Sequence, residues 1–144
     1  MVKAINFDMD GTLADFYGVD KWLDYLVARD AYPYAVAKPL VNMAALARRL
    51  NSLQRKGYKI TVISWLAKNS TPEFDEMVTE TKKKWLKTHL PSVKWDKITI
   101  VPYGVNKSIL GEGVLFDDEE QNRNMWGEGA YDVHNILGVL KAIA

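Results

Sequence analysis

The chain contains no cysteine among its 144 residues, which excludes disulfide bonds, thiolate metal sites and cysteine nucleophiles. It also contains no apolar run that approaches the roughly 20 residues a membrane-spanning helix needs. The first residues, MVKAINFDMDG, reach two acids by position 10 and do not resemble a secretory signal peptide. The 19 Lys and Arg residues balance the 18 Asp and Glu residues, so no overall attraction to nucleic acid or membranes follows. We therefore expect a soluble, cytoplasmic protein.

The remaining composition is typical of one globular domain, with 48% hydrophobic and 26% charged residues. Short apolar segments rich in β-branched residues alternate with segments whose apolar residues recur at helical spacing. The predicted strands are residues 2–7, 58–64, 97–101, 113–118 and 130–133, and the predicted helices are residues 19–29, 40–56, 72–90 and 134–144. This alternation predicts an α/β fold, a Rossmann-like three-layer sandwich with a mostly parallel sheet of about five strands.

Two of the predicted helices have an apolar face that we expect to be buried. Its members are Leu40, Met43, Ala47 and Leu50 in the first, and Phe74, Met77, Val78, Thr81 and Trp85 in the second. The run TKKKWLK at 81–87 indicates a solvated helix face, because nucleic-acid-binding proteins usually show a wider basic surface. The segment AYPYAVAKP at 31–39 interrupts the helical pattern with two prolines and predicts a loop.

Polar side chains follow three of the predicted strands. Asp8 ends the first, with Asp10 two residues later; Ser64 ends the second; Asp117 and Asp118 end the fourth. Because ligands bind beyond the carboxyl ends of parallel strands, we expect these groups to meet at one edge of the sheet. Neighbouring acids repel unless a cation neutralises them, and oxygen ligands without His or Cys favour Mg²⁺. The pattern therefore predicts a Mg²⁺ site that also receives a substrate phosphate.

Two carboxylates at the spacing of Asp8 and Asp10 suit phosphoryl transfer, which needs an oxygen nucleophile, a proton donor and positive charge. Asp8 is placed to attack phosphorus and form an aspartyl-phosphate. Asp10 is placed to protonate the leaving oxygen and then to activate water. Gly11 lets the backbone turn sharply beside both acids.

The segment DMDGT at 8–12 resembles the first motif of the haloacid dehalogenase (HAD) superfamily of phosphotransferases, Asp-x-Asp-x-[Thr/Val]. The other motifs of the superfamily follow in order, with Ser64 in TVIS, Lys107 in GVNKSIL, and Asp117 and Asp118 in VLFDDEEQNR. The resemblance covers most of the chain. It implies a Mg²⁺-dependent phosphatase that acts through an aspartyl-phosphate on a small-molecule phosphate ester.

The resemblance also implies a role for each motif residue. Asp8 is the nucleophile and a metal ligand, and Asp10 is the general acid/base and binds the metal through its backbone carbonyl. Ser64 hydrogen-bonds the phosphoryl oxygens, and Lys107 stabilises the charge of the nucleophile and the phosphate. The first acid of the fourth motif binds Mg²⁺, and the second is a further metal-shell acid or a partner of Lys107.

Members of this superfamily differ in cap insertions that select the substrate. Here only about residues 15–38 remain for a cap, which predicts a minimal lid, or no cap, on a single catalytic domain of residues 1–144 with an open cleft. The candidate substrate-binding residues lie in the first motif, in this insert and directly after the second strand: Gly11, Thr12, Tyr32, Tyr34 and Trp65.

Several alternatives stay open at this point. The aromatic insert and VLFDDEEQNR are most similar to 5′(3′)-deoxyribonucleotidase-like members, which indicates (deoxy)nucleoside monophosphates as substrates, but those members carry a larger helical cap. A phosphatase for nucleic-acid 3′-ends and a HAD-fold binding or regulatory protein without turnover remain the competing functions. The sequence leaves the oligomeric state undetermined. If Lys107 is only a solvated lysine, Lys3 or Lys68 would supply the positive charge.

Overall fold

Helices and strands alternate along the computed structural model, which describes residues 2–143. The strands are β1 (Ala4–Phe7), β2 (Ala14–Asp15), β3 (Lys38–Pro39), β4 (Lys59–Trp65), β5 (Lys97–Val101), β6 (Val114–Phe116) and β7 (Ala130–Tyr131). The helices are α1 (Trp22–Val27), α2 (Tyr32–Val36), α3 (Met43–Arg55), α4 (Pro72–His89), α5 (Glu120–Trp126) and α6 (Ile136–Ile143), with short 3₁₀ turns at Lys107–Ile109 and Val133–Asn135. No helix within residues 2–143 combines the length and the apolar character needed to span a membrane.

The central sheet has five strands in the order β5–β4–β1–β6–β7, and every neighbouring pair is parallel. The α/β parallel-sheet prediction is therefore confirmed. Phe7 lies opposite Val62 on one side and Phe116 on the other. The residues that follow Phe7 and Phe116 are Asp8 and Asp117, so the register brings these two acids out of the sheet side by side.

One face of the sheet packs against α3, α4 and α6. Ile5, Phe7 and Val62 belong to one cluster of buried side chains, together with apolar residues of the three helices. Those residues are Leu46, Leu50, Leu53, Trp85, Leu86, Ile136 and Leu140. Because residues two apart on a strand share a face, Ile5 and Phe7 both point into this layer.

The opposite face of the sheet is more polar and lies against α5. Asn6, which points away from Ile5 and Phe7, donates from Nδ2 to the backbone oxygens of Glu112 at 2.8 Å and Val114 at 2.9 Å. Trp126 of α5 donates from its indole N–H to the backbone oxygen of Gly113 at 2.9 Å. Helices thus flank the sheet on both faces, as the three-layer prediction requires.

The segment 31–39 is not a loop, and that prediction was wrong. Residues 32–36 form α2, with Pro33 in the first turn, where a proline costs no helical hydrogen bond because the N–H there has no intrahelical partner. The segment then continues into β3, which pairs antiparallel with β2 through Ala14 opposite Pro39 and Asp15 opposite Lys38. This small ribbon closes the base of the insert at about 15–38.

Two residues expected in the core are on the surface. Leu40 is 46% exposed because it precedes α3, which begins at Met43, and so does not follow the periodicity of that helix. Met77 is 48% exposed because the buried stripe of α4 passes through its neighbours Phe74 and Val78.

The different positions of Leu50 and Leu40 give a test of this packing. We expect Leu50→Ala to lower the free energy of unfolding by about 2–5 kcal/mol, because the side chain is fully buried and its removal leaves a cavity. Leu40→Ala, the matched control, should change it by less than about 0.5 kcal/mol. Urea unfolding followed by circular dichroism measures both values, and equal losses in the two variants would contradict the structure.

Candidate functional site

The carboxylates of Asp8 and Asp117 lie on either side of one ammonium group. Nζ of Lys107 is 2.8 Å from Oδ1 of Asp8 and 2.8 Å from Oδ2 of Asp117, and all three residues are buried. The 3₁₀ turn that carries the lysine is capped by Asn106, whose Oδ1 accepts from the backbone N–H of Ser108 at 2.9 Å. Burial alone would lower the pKa of Lys107, but the two acids together raise it above its ordinary value. This lysine therefore stays charged at the centre of the site.

Asp117 is held by the beginning of α5 as well as by Lys107. Its Oδ1 accepts from the backbone N–H of Glu119 at 2.9 Å, and its Oδ2 accepts from Nδ2 of Asn122 at 3.1 Å. Arg123 donates to its backbone oxygen at 2.9 Å. Burial, reinforced by the charge of Asp8, raises the pKa of Asp117 to about 6. The side chain is thus fixed in position, and its burial disfavours the charged form.

Asp118 packs directly against the turn that follows β1. Gly11 has a φ of 80°, in the left-handed region, and a Cβ atom at that position would overlap the Asp118 carboxylate. Thr12 is fully buried; its hydroxyl is 3.1 Å from Oδ2 of Asp8, to which it donates, and 3.4 Å from Oδ1 of Asp118. The structure therefore places Gly11 and Thr12 against the acids.

Three of these acids are grouped as a metal site requires. Asp8, Asp117 and Asp118 each offer a carboxylate oxygen, and these oxygens lie within 4.8 Å of one another. The set contains only oxygen donors, which suit a hard divalent cation such as Mg²⁺. The donor set therefore fits such an ion, although the side chain of Asp10 points elsewhere and lies outside it.

A buried lysine from the run at 81–87, which was expected to face solvent, holds Asp10. Lys82 is 1% exposed, and its Nζ lies 3.1 Å from Oδ2 of Asp10, 2.7 Å from Oγ of Ser64 and 2.7 Å from the backbone oxygen of Trp65. Burial raises the pKa of Asp10, against the opposing charge of Lys82 and with the support of the charge of Asp8. The prediction that residues 81–87 form a solvated helix face is therefore wrong for Lys82.

The sequence did contain a signal for Lys82. Phe74, Val78 and Lys82 are spaced four residues apart, and Trp85 follows at three. Residues at this spacing share one helix face, so the lysine continues an apolar stripe in α4. A charged residue in such a stripe is expected to meet a buried partner.

The charges of the cluster do not balance without a further cation. Four carboxylates, at positions 8, 10, 117 and 118, face two ammonium groups, those of Lys82 and Lys107. When all four carboxyl groups are ionised, two negative charges lack a counter-charge within the cluster, which a single divalent cation would supply. This charge balance is a second reason why the acids fit a metal ion.

A cavity of about 270 Å³ opens beside the carboxylates. Asp8, Asp10 and Asp118 lie in its wall, and most of the remaining wall is apolar or aromatic. The aromatic side chains are Phe16, Tyr17, Trp22, Tyr34, Trp65 and Tyr103. A larger groove of about 490 Å³ between α3 and α6 is lined by Arg48, Arg49 and Lys141 but contains no acid, so size alone does not identify the site.

The other predicted site residues lie in different places around this cavity. Tyr34 is buried in its wall, with Nζ of Lys82 5.2 Å from the ring centroid, and the ring of Trp65 lies 5.5 Å from Nζ of Lys107. Ser64 is fully buried behind the wall, where it accepts from Lys82. Tyr32 is 49% exposed outside the cavity, with its ring 5.0 Å from that of Tyr25.

Together, the sheet order and the acids at its edge define an α/β protein with the HAD-like Rossmann-type fold that the motifs imply. One solved structure with this fold is D,D-heptose 1,7-bisphosphate phosphatase from Burkholderia thailandensis, which is 12% identical to this chain with a TM-score of 0.57. The superposition covers 98% of this chain and 97% of that chain. At this identity the likeness establishes the fold alone. No family model matches the chain, and no curated protein does so.

The uncompensated acids should destabilise the metal-free fold, which Asp118→Asn tests. Burial, reinforced by the charge of Asp8, raises the pKa of Asp118 from 3.8 to about 8 on folding. The folded chain then binds the proton more tightly than the unfolded chain, so this carboxyl costs stability as the pH rises from about 4 toward 8. We expect Asp118→Asn to raise the thermal midpoint by a few degrees at pH 7 and to leave it unchanged at pH 4, measured in the presence of a chelator.

The exposed Asp20 provides the control, since Asp20→Asn should leave the midpoint unchanged at both pH values. A lower midpoint for Asp118→Asn at pH 7, or a gain that persists at pH 4, would show that this carboxyl is not short of positive charge.

Proposed function

We propose that this chain is a Mg²⁺-dependent phosphatase that hydrolyses phosphate monoesters through an aspartyl-phosphate at Asp8. The observation that carries the proposal is the buried bridge from Lys107 to Asp8 and Asp117. It holds a carboxylate of the cavity wall, which we propose as the nucleophile, beside a buried positive charge. The similar solved structure is named as a phosphatase, which supports the same class of reaction.

Asp8, Asp117 and Asp118 would hold the metal ion. When bound, the ion supplies positive charge for the phosphoryl oxygens and for the crowded carboxylates. Lys107 adds a second, permanent positive charge on the side of Asp8, which lowers the repulsion between the nucleophile and the incoming phosphate dianion.

The reaction then follows from the placement of two carboxylates. An oxygen of Asp8 forms a bond to phosphorus as the ester P–O bond breaks, and Asp10 gives a proton to the departing alkoxide. In the second half, water attacks the phosphorus of the aspartyl-phosphate and loses its proton to Asp10. The bond between Asp8 and phosphorus breaks, inorganic phosphate leaves, and both acids return to their starting states.

We propose further that the ester carries a planar aromatic group, as a (deoxy)nucleoside monophosphate does. The cavity wall offers two aromatic pairs, Trp65 with Tyr103 at 4.9 Å between ring centroids and Tyr17 with Trp22 at 5.0 Å. A base that stacks on aromatic side chains gains about 1–3 kcal/mol. The cavity of about 270 Å³ suits a small molecule better than a nucleic-acid end.

The insert at about 15–38 serves in this proposal as a small lid on a single catalytic domain. Its side chains Phe16, Tyr17, Trp22 and Tyr34 supply much of the aromatic wall. Helix α1 within it contributes no fully buried residue, but its half-buried Trp22 and Leu26 pack against the cluster that contains Phe16 and Tyr34. Such a lid excludes some water from the cavity while leaving an entrance for the substrate.

The nucleophile is tested by Asp8→Asn. We expect this variant to lose at least about a thousandfold in kcat with p-nitrophenyl phosphate and Mg²⁺, because the amide cannot form the acyl-phosphate. Wild-type protein quenched in acid during turnover should yield a peptide phosphorylated at Asp8. Steady-state kinetics and peptide mass spectrometry provide the two measurements.

Asp20→Asn is again the control and should keep full activity, and circular dichroism should show that both variants are folded. Full activity in Asp8→Asn would exclude the proposed mechanism. If the chain binds Mg²⁺ but hydrolyses no ester of a broad panel, the non-catalytic alternative is correct instead.

The aromatic wall is tested by Tyr103→Ala. We expect the KM for a deoxynucleoside monophosphate to rise about tenfold, since one stacking partner of the base is lost, with little change in the KM for glycerol phosphate. Tyr32→Ala is the matched control, because this tyrosine is also about half exposed but lies outside the cavity.

Equal effects of the two tyrosine variants would contradict the assignment of the aromatic wall. The same assay should include an oligonucleotide with a 3′-phosphate. A higher kcat/KM for that substrate than for mononucleotides would replace the small-molecule proposal with the nucleic-acid-end alternative.

A further inference from the structure

The proposed reaction does not use Lys82, although its burial calls for an explanation. Removing an ammonium group from water costs several kcal/mol unless the group is paired and hydrogen-bonded. Lys82 meets this condition, because its three N–H groups are matched by three acceptors, on Asp10, Ser64 and Trp65. The ammonium group of Lys82 is therefore a buried charge that is fully hydrogen-bonded beside the cavity.

The three acceptors come from separate parts of the chain. Asp10 lies in the turn after β1, whereas Ser64 and Trp65 close β4. The side chains of Asp10 and Ser64 are joined through the ammonium group of Lys82, which projects from the middle of α4. The relative position of the proposed acid/base and the serine hydroxyl thus depends on a helix that itself carries no motif residue.

The hydrogen bond to Asp10 leaves one of its oxygens for the substrate. Lys82 holds Oδ2, and no partner of Oδ1 is found within residues 2–143. Asp10 lies in the cavity wall and its side chain is 19% exposed. One oxygen of the carboxyl group is therefore anchored by Lys82, and the other remains available to a molecule in the cavity.

The hydrogen bond to Ser64 determines what the serine can donate. Its Oγ accepts from Lys82 at 2.7 Å, so the ammonium group occupies one lone pair of the hydroxyl and leaves its proton for another acceptor. Ser64 is fully buried and is not among the residues that line the cavity, so its hydrogen bond helps to fix the ammonium group that holds Asp10.

We infer that Lys82 is a positioning residue for proton transfer at Asp10, an inference that rests on the proposed phosphatase function. It holds the carboxyl group of Asp10 at the point where the leaving oxygen of the ester takes its proton. The purely structural alternative is that Lys82 only attaches α4 to the end of β4. The positioning role and the structural role predict different losses of kcat/KM among substrates when the lysine is replaced.

The discriminating experiment compares two esters of similar shape in Lys82→Met. The leaving group of p-nitrophenyl phosphate departs without a proton, whereas that of benzyl phosphate needs one. Since a positioned general acid contributes about 10²–10⁴-fold, we expect kcat/KM for benzyl phosphate to fall about a hundredfold and that for p-nitrophenyl phosphate to fall less than about tenfold. Lys83→Met, at an exposed position on the same helix, should change neither value.

The same substitution in an Asp10→Asn variant tests whether Lys82 acts on kcat/KM through Asp10. In Asp10→Asn the acid is already absent, so adding Lys82→Met should lower kcat/KM for benzyl phosphate by less than about threefold. The double variant also removes both charges of the pair, which avoids an unpaired buried carboxylate. If Lys82→Met alone does not fold, Lys82→Gln takes its place in the ester comparison.

Each result then decides between the two roles. Equal losses for the two esters, or the same hundredfold loss in the Asp10→Asn background, would overturn the positioning role while leaving the phosphatase proposal intact. A wild-type protein that hydrolyses neither ester with Mg²⁺ would overturn the proposed function and this inference with it.

Discussion

Mutual repulsion among carboxylates is the constraint on which the rest of the site depends. The register of β1 and β6 brings Asp8 and Asp117 out of the sheet side by side, and Asp118 follows within a few ångströms. Such a group remains ionised in a buried place only if positive charge lies between its members. Lys107 supplies part of that charge by bridging Asp8 and Asp117 at 2.8 Å each. The positive charge that is still lacking is the reason why a divalent cation fits the site.

The two buried lysines reach this edge from different elements. Lys107 comes from the turn before β6 and lies beside the proposed nucleophile, whereas Lys82 comes from α4 and lies beside the proposed acid/base. Each ammonium group also lies against an aromatic ring of the cavity wall, Trp65 and Tyr34 respectively. The arrangement gives Asp8 and Asp10 different surroundings, each with its own cation, as the two roles proposed for them require.

Much of the fold could be predicted because its signals are local. The strands of the sheet follow from short apolar runs, and the boundaries of α3 and α4 lie within three residues of the expected ones. The errors occurred where local pattern and packing disagree. Prolines at 33 and 39 indicated a loop, yet Pro33 lies in the first turn of a helix and Pro39 pairs in β3. Leu40 and Met77 fit a helical periodicity but face solvent: Leu40 precedes α3, and Met77 lies beside the buried stripe of Phe74 and Val78 rather than in it.

The sequence by itself determined that acids follow β1 and β6 and that a glycine directly follows the first pair of acids. It also determined that no thiol and no long apolar helix takes part. These are properties of residues that are neighbours in the chain. Because the acids directly follow their strands, they lie at the edge of the sheet. Only the tertiary structure decided which lysines and tyrosines join the acids. Lys82 rather than its neighbours enters the core, and Tyr34 rather than Tyr32 lines the cavity. These choices depend on how α2 and α4 are rotated against their neighbours, and that rotation is set by contacts between residues far apart in the chain.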